Sequence, residues 1–107
     1  VLYGSSGDNT LDGGTGTDTI WSGAGSDTIV IRSGDGSATL ADADVLKDFS
    51  DGDDVIGMAG LNYDDLTIAQ GSGDYSSHVV VKYDAEFLLI IERVSAADIT
   101  RADFASL

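Results

Sequence analysis

Aspartates that close glycine-rich segments are the residues of this sequence with the clearest capacity for chemistry. Asp18 follows residues 13–16, three of which are glycine, and Asp27 closes a similar segment, residues 22–25. Glycine-rich turns allow backbone carbonyl oxygens to converge, because no side chains obstruct the approach. Carbonyl and carboxylate oxygens are the ligands of calcium, whereas zinc and copper sites typically use nitrogen or sulfur. The residue types and their order therefore predict oxygen-only cation sites at these turns.

These turns recur with a period of nine residues. Consecutive blocks begin at Gly4, Gly13 and Ser22, and a fourth begins at Ser33 after a two-residue insertion. Against the pattern G-G-x-G-x-D-x-U-x, where U is apolar, the first three blocks match twelve of fifteen fixed positions. In the fourth block Ala38 stands where the pattern has Asp. The alternative of a flexible glycine-rich linker gives no reason for a branched apolar residue at every ninth position.

The second half of each block predicts a very short strand. In every block Thr precedes one apolar residue, and alternation along a strand places that residue on the inner face. Stacking of the nine-residue half-turns predicts an all-β fold, a parallel β-roll (solenoid) in which two parallel sheets enclose a thin core. Turns on one flank are eighteen residues apart, so block one faces block three and block two faces block four. The four inward residues are Leu11, Ile20, Ile29 and Leu40.

The charge and composition of the chain exclude several classes of partner and site. Nineteen acidic residues, seventeen of them Asp, face five basic ones and give a net charge of −14. Such a chain repels nucleic acid and anionic membranes and attracts cations, although an acidic solubilising surface is an alternative reason for the composition. The absence of Cys excludes disulfides, thiolate metal sites and a cysteine nucleophile. No apolar run has the length of a membrane span and no signal peptide begins the sequence, so we expect any export address to lie upstream or at the C-terminus.

The repeats resemble the glycine- and aspartate-rich nonapeptides of RTX (repeats-in-toxin) proteins, which include secreted bacterial toxins, proteases, lipases, alginate-modifying enzymes and adhesins. The resemblance implies that Ca²⁺ lies between stacked turns, bound by backbone oxygens of the first four positions and by the carboxylate at the sixth. Block one, which ends in Asn9, is then a neutral-ended variant, and block four lacks its carboxylate. The residues that the resemblance implies as calcium-binding are Gly4, Ser6, Gly7, Asn9, Gly13, Gly14, Thr15, Gly16, Asp18, Ser22, Gly23, Ala24, Gly25, Asp27, Ser33, Gly34 and Gly36.

A different acidic segment follows the fourth block. Residues 42–56 resemble the D-x-I-x-D-F segment that follows the last nonapeptide in many RTX proteins. Asp44 or Asp48 could supply the carboxylate that is missing at Ala38, and a solvated acidic turn is the equal alternative. An EF-hand is excluded, because no stretch has Asp or Asn at alternate positions with Gly sixth and Glu twelfth.

The C-terminal part of the chain is also predicted to form β-structure. Residues 79–81 and 87–91 are short, branched and apolar runs that favour strands, the second of them buried on both faces. Residues 61–67 and 94–100 share a pattern that indicates turn-plus-strand or short helical corners. Residues 42–107 are thus predicted to form a β-rich cap over the open end of the roll formed by residues 1–41. The last five residues resemble the C-terminus of type I export substrates, which implies a secretion signal there.

No group of residues predicts catalysis. The sequence has no Ser-His-Asp arrangement with a nucleophile turn and no phosphate-binding loop with its Lys, and His78 is interpreted as a strand-surface residue. The resemblance implies a calcium-binding module at the C-terminus of a type I-secreted bacterial protein. Such a module folds on calcium binding outside the cell and supports export and stability of an upstream domain, which can itself be an enzyme. Its expected partners are calcium ions, the type I secretion machinery and that domain.

An adhesive solenoid that binds carbohydrate or ice is the alternative function. Such a solenoid needs a flat, repeated ladder of one residue type on an exposed face. The column Thr10, Thr19, Thr28 and Thr39 is only four residues long and is divided between two flanks. Trp21 occupies an outward position of block two, where either sugar stacking or partly exposed packing is a reasonable role.

Overall fold

The protein consists of short strands connected by turns. The computed structural model describes residues 2–4, 6–12, 17–32, 34, 36, 38–49 and 53–106. Over these residues the chain forms strands and single turns of 3-10 helix, with no α-helix. The strands are β1 (Leu2–Tyr3), β2 (Thr10–Leu11), β3 (Thr19–Trp21), β4 (Thr28–Arg32), β5 (Asp44–Leu46), β6 (Val55–Ala59), β7 (Leu66–Gln70), β8 (Val79–Tyr83), β9 (Glu86–Ile91) and β10 (Phe104–Ser106). The 3-10 turns are Leu40–Asp42, Tyr63–Asp65, Gly73–Tyr75, Ala96–Asp98 and Arg101–Asp103.

The first six strands alternate between two sheets. One sheet has the order β1-β3-β5-β9-β8-β7, and the other has the order β10-β6-β4-β2. Leu2 pairs with Ile20 in the first sheet and Thr10 pairs with Thr28 in the second, both in parallel register and both eighteen residues apart. An eighteen-residue coil built from two nine-residue halves is the period that the blocks predict. The all-β class and the parallel β-roll are therefore confirmed.

The coil that follows is longer than predicted. Thr19 pairs with Val45 rather than with a residue of block four. The predictions that block two faces block four and that Leu40 fills an inward strand position are therefore wrong. Leu40 begins a 3-10 turn and is only half-buried, whereas Leu46 of β5 is fully buried.

The two-residue insertion after block three is a physical reason for the longer coil. Ile31 and Arg32 are not looped out but continue β4, where Ile31 pairs in register with Met58. Both Ile31 and Met58 are 5% exposed, so the insertion adds a layer to the core. The chain then passes through the 3-10 turn at Leu40–Asp42 before it rejoins the first sheet at Asp44.

The core of the roll is one side chain thick on each sheet. Ile20 and Leu46 of the first sheet and Ile29 and Ile56 of the second are at most 1% exposed. Burial of each such side chain contributes about 1.5–3 kcal/mol. The predicted inward residues Leu11, Ile20 and Ile29 are confirmed in this layer, because Leu11 is also buried.

The C-terminal part covers the last coil of the roll. Strand β9 pairs in parallel with β5 and continues into the antiparallel strands β8 and β7, while β10 pairs in parallel with β6. The predicted strands at 79–81 and 87–91 lie within β8 and β9, and residues 88–91 are all buried. The two corners predicted at 61–67 and 94–100 each contain a 3-10 turn. Each sheet of the roll thus has its C-terminal edge paired, with β9 beside β5 and β10 beside β6. The division of the chain into a roll and a cap at residue 41 stays a prediction.

Candidate metal centre

Successive turns on one flank of the roll stack backbone against backbone. A Cβ atom on Gly4 would lie 2.1 Å from the Ser22 carbonyl oxygen, and a Cβ atom on Gly25 would lie 2.5 Å from that of Gly7. Gly7 and Gly25 also have φ angles of +95° and +94°, which residues with a side chain rarely adopt. Glycine at positions 4 and 25 therefore permits the close backbone approach of block one to block three.

A ladder of carboxylates links each coil to the next. The backbone N–H groups of Asn9, Asp27 and Asp18 donate to the Oδ1 atoms of Asp27, Asp54 and Asp44, over 2.8, 3.0 and 2.8 Å respectively. Each accepting aspartate stands at the point where a turn ends and a strand begins. The ladder therefore fixes every one of these carboxylates through one oxygen and the backbone of the preceding coil.

Two carboxylate oxygens of the ladder are buried without a hydrogen-bond partner among the described residues. They are Oδ2 of Asp18 and Oδ2 of Asp27, and Asp27 as a whole is only 1% exposed. A buried charged oxygen without donors is strongly unfavourable unless a cation compensates it. Neither residue belongs to the ion pairs among the described residues, which are Arg32–Asp12, Lys47–Glu92 and Arg101–Asp64. Bound Ca²⁺ at each turn would provide the missing positive charge.

Carboxylate oxygens of two aspartates surround Ser22. Ser22 is completely buried, and its backbone N–H and that of Gly23 donate to Oδ1 and Oδ2 of Asp48 over 2.7 and 2.9 Å. The Ser22 hydroxyl lies 3.0 Å from Oδ1 of Asp48 and 3.3 Å from Oδ2 of Asp54. One hydroxyl carries one proton, so it can donate fully to only one of the two carboxylates. Two carboxylates, those of Asp48 and Asp54, therefore converge on the turn of block three.

Asp44 and Asp48, the two candidates to replace the carboxylate missing at Ala38, lie on opposite flanks. Asp44 accepts from the Asp18 N–H, and the carbonyl oxygen of Asp42 accepts from the Thr17 hydroxyl over 2.8 Å. Asp44 thus stands where the next closing aspartate above block two belongs. Asp48 instead lies above block three, where it accepts from the Ser22 and Gly23 N–H groups.

The turn of block four is held by a residue of the C-terminal sheet. The N–H groups of Gly34 and Gly36 donate to Oε1 of Glu86, at the start of β9, over 2.8 and 3.3 Å. A Cβ atom on Gly36 would lie 2.9 Å from the Phe87 carbonyl oxygen, so the turn packs directly on the backbone of β9. Ala38 is exposed. The carboxylate of Glu86 therefore binds two N–H groups of a turn that has no aspartate at its sixth position.

The other predicted ligand residues fall into two groups. Ser6, Gly23, Ala24 and Gly25 are exposed in the turns of blocks one and three. Gly13, Gly14, Thr15, Gly16 and Ser33 lie outside the described residues. The assignment of these positions as ligands stays a prediction from the sequence.

Asp54 is the residue of the ladder that the repeat pattern does not identify as a site residue. It is 1% exposed and accepts from the Asp27 N–H. The signal that identifies it is the order of residues at the start of β6: Asp54, Val55 and Ile56 repeat the order aspartate, any residue, apolar residue that Asp27 begins before β4. The longer coil hides this signal, because Asp54 lies 27 residues beyond Asp27 rather than eighteen.

The donor set of these turns fits calcium. Every candidate ligand is an oxygen, and the two orphaned carboxylate oxygens are buried where a cation is needed. Within the described ranges no three His, Cys, Asp or Glu side chains form a metal-binding cluster. The ligand set implied for RTX turns takes most of its oxygens from the backbone, so side chains alone do not define it. In the same ranges, no helix is long and apolar enough to cross a membrane.

Comparisons with known proteins agree with this geometry. Residues 1–29 match the RTX calcium-binding nonapeptide repeat (4 copies). The chain is similar to the AlgE6R3 subunit of the Azotobacter vinelandii mannuronan C5-epimerase, with a TM-score of 0.64 and 26% identity over 97% of this chain and 66% of that one. It also shares its fold with the C-terminal domain (RV) of MpAFP, with a TM-score of 0.60 and 20% identity over 99% of this chain and 92% of that one. No curated protein matches the sequence.

The matched segment contains the stacked turns of blocks one and three and both orphaned carboxylates, Asp18 and Asp27. The chain is a β-roll whose first 29 residues match the RTX calcium-binding nonapeptide repeat.

Proposed function

We propose that this chain is a calcium-dependent folding module, with Ca²⁺ bound at the turns that Asp18 and Asp27 close. The observation that carries this proposal is the buried Oδ2 atom of each of these residues, which has no donor among the described residues. Asp44 and Asp54 are the next carboxylates after Asp18 and Asp27 on the two flanks, and they add negative charge to each stack of turns. Bound calcium supplies positive charge at these oxygens. Backbone N–H groups of the preceding coil hold the carboxylates of Asp27, Asp44 and Asp54 in place.

Charge repulsion is the reason for expecting folding to depend on the metal. The chain has a net charge of −14, and Asp27 and Asp54 are both 1% exposed within the same stack of turns. An ion at 100 times its dissociation constant stabilises the folded state by about 2.7 kcal/mol, so two sites contribute on the order of 5 kcal/mol. That is comparable to the whole stability of a small domain. Without calcium the roll is therefore expected to unfold.

We further propose that the module belongs to the C-terminal region of a secreted bacterial protein exported by a type I system. Low calcium inside a cell would keep the roll unfolded during export, and extracellular calcium would fold it afterwards. Residues 42–107 would then cap the roll, and the signal proposed at the C-terminus includes β10, which pairs with β6. AlgE6R3 is described as a subunit of an epimerase, and an upstream catalytic domain is proposed here by analogy. The module itself is proposed to be non-catalytic.

The alternative of an adhesive or ice-binding face has less support. On the second sheet Thr10 and Thr28 stand side by side, but the next position in register is Val55. On the first sheet Thr19 stands beside Val45. Among the described strands the threonine ladder is thus at most two residues long, and a flat ice- or sugar-binding surface needs a longer one.

Cation selectivity is the direct test of the proposed function. Trp21 on β3 is 40% exposed and lies next to the buried Ser22, so its fluorescence should report ordering of the turn. Calcium should change the emission at a concentration at least about tenfold lower than magnesium, because magnesium demands a tight octahedron and retains its water. Equal responses to the two ions would indicate screening of an acidic surface and would contradict the proposal.

A further inference from the structure

The first step of the carboxylate ladder differs from the others in one side chain. Asn9 occupies the position that Asp18 and Asp27 occupy in the next two blocks. Its backbone N–H donates to Oδ1 of Asp27, as in every step, but its side-chain Nδ2 also donates to the same oxygen, over 3.1 Å. The same Nδ2 donates to the Gly7 carbonyl oxygen over 3.0 Å. Both partners are pure acceptors, so the amide group must present its nitrogen to them.

The amide of Asn9 therefore stands where a positive group is needed. The corresponding side chains of Asp18 and Asp27 each have a buried oxygen to which none of the described residues donates, whereas Nδ2 of Asn9 brings two N–H groups to its own turn and to the next carboxylate. Hydrogen bonds to a charged acceptor are about twice as strong as neutral ones. The amide thus performs, without net charge, the compensation that the other steps require from a cation.

We propose that Asn9 is a metal-independent staple that replaces a calcium ion at the first turn pair, so that the pair formed by blocks one and three is held without a cation at Asn9. This inference rests on the proposed calcium sites at Asp18 and Asp27. It departs from the family-implied assignment of Asn9 as a ligand of its own. The ladder then has two kinds of step. The first step uses the Asn9 amide, and the steps at Asp18 and Asp27 use carboxylates that need calcium.

The test compares Asn9→Asp and Asn9→Ala with the wild type by calorimetric calcium titration and by urea unfolding at several calcium concentrations. In Asn9→Asp the new carboxylate would face Oδ1 of Asp27 and the Gly7 carbonyl, an oxygen set that favours a cation. We expect this variant to bind one more calcium ion and to show a steeper dependence of stability on calcium. Asn62→Asp is the control, because Asn62 is exposed, makes no side-chain cap hydrogen bond, and gains the same charge.

Asn9→Ala separates a staple from a ligand. A staple predicts an unchanged number of bound ions and a loss of at least about tenfold in the folding equilibrium constant that is the same at every calcium concentration. Loss of one ion in Asn9→Ala, or an equal ion count in Asn9→Asp and the wild type, would overturn the inference. If the wild type binds no calcium, the proposed function fails. In that case Asn9→Asp still decides the inference, because one ion gained supports it and none contradicts it.

Discussion

At the scale of single residues, the aspartates of this chain differ in their surroundings. Asp27 is 1% exposed, with one oxygen bonded to the Asn9 backbone and the other buried with no hydrogen-bond partner in the part of the chain that the structure describes. Asp74 has the same formal charge but is exposed in the 3-10 turn Gly73–Tyr75. If net charge alone attracted calcium, Asp27 and Asp74 would contribute equally to calcium binding. A cation bound at the turn instead depends on Asp27 and not on Asp74.

Asp27→Asn and Asp74→Asn therefore form a matched pair. Asp27→Asn should remove one calcium ion by isothermal titration, and the gain in free energy of unfolding on adding calcium at 100 times its dissociation constant should be smaller than in the wild type by about 2.7 kcal/mol. Asp74→Asn should bind the wild-type number of ions. Asp84 and Asp64 are poorer controls, because Asp84 has a φ angle of +52° and Asp64 pairs with Arg101. Equal losses in the two variants would mean that net charge alone governs calcium binding.

The nine-residue spacing was sufficient to predict Asp18 and Asp27 as the carboxylates that close the candidate calcium-binding turns. It was insufficient for Asp54 and Glu86. Asp54 lies in an acidic run, and the length of the coil determines which aspartate of that run accepts from the Asp27 N–H. That length depends on how the two inserted residues pack. Glu86 binds Gly34 across fifty-two residues, a contact that no local pattern encodes.

At the scale of elements, the stacked turns depend on glycine for two separable reasons. Gly7 and Gly25 have nearly the same positive φ angle, +95° and +94°. A Cβ atom on Gly7 would meet nothing within 4 Å, but one on Gly25 would lie 2.5 Å from the Gly7 carbonyl oxygen. One residue thus requires glycine for conformation alone, and the other for conformation and for close stacking.

Alanine at each of these positions should separate the two effects. Gly7→Ala should cost about 1–2 kcal/mol of unfolding free energy, the cost of a left-handed conformation with a side chain. Gly25→Ala should cost more and should also weaken calcium binding, because the turns must move apart. Urea unfolding in saturating calcium and calorimetric titration measure both quantities. Identical losses in the two variants would show that the turns are not in close contact.

The fourth block shows which strands the repeat pattern could not predict. The period of nine predicted β2 to β4 and the eighteen-residue pairing of β2 with β4, because one apolar residue per block is enough to define each short strand. It did not predict that Ile31 would be buried and prolong β4, since a two-residue insertion can equally be looped out. Once β4 is longer, Leu40 can no longer reach the next strand position, and Leu46 takes that place.

At the scale of the whole molecule, the chain combines an acidic roll with a conventional apolar cap. The roll has a thin core and carries buried carboxylates, whereas β8 and β9 contribute a continuous run of residues that are at most 4% exposed, from Leu88 to Ile91, together with Val79 and Val81. Calcium should therefore matter most to the roll. The antiparallel strands of the cap are expected to retain more structure when the metal is removed.

Residue-resolved NMR of the 107-residue chain, recorded in calcium and then in excess chelator, is the direct test of calcium-coupled folding. We predict that amides of residues 17–32 are dispersed and protected in calcium and lose both properties in chelator, while amides of β8 and β9 change less. Magnesium at the same concentration should not restore the roll. A roll that is equally ordered in chelator would contradict calcium-coupled folding and leave the turns without their proposed function.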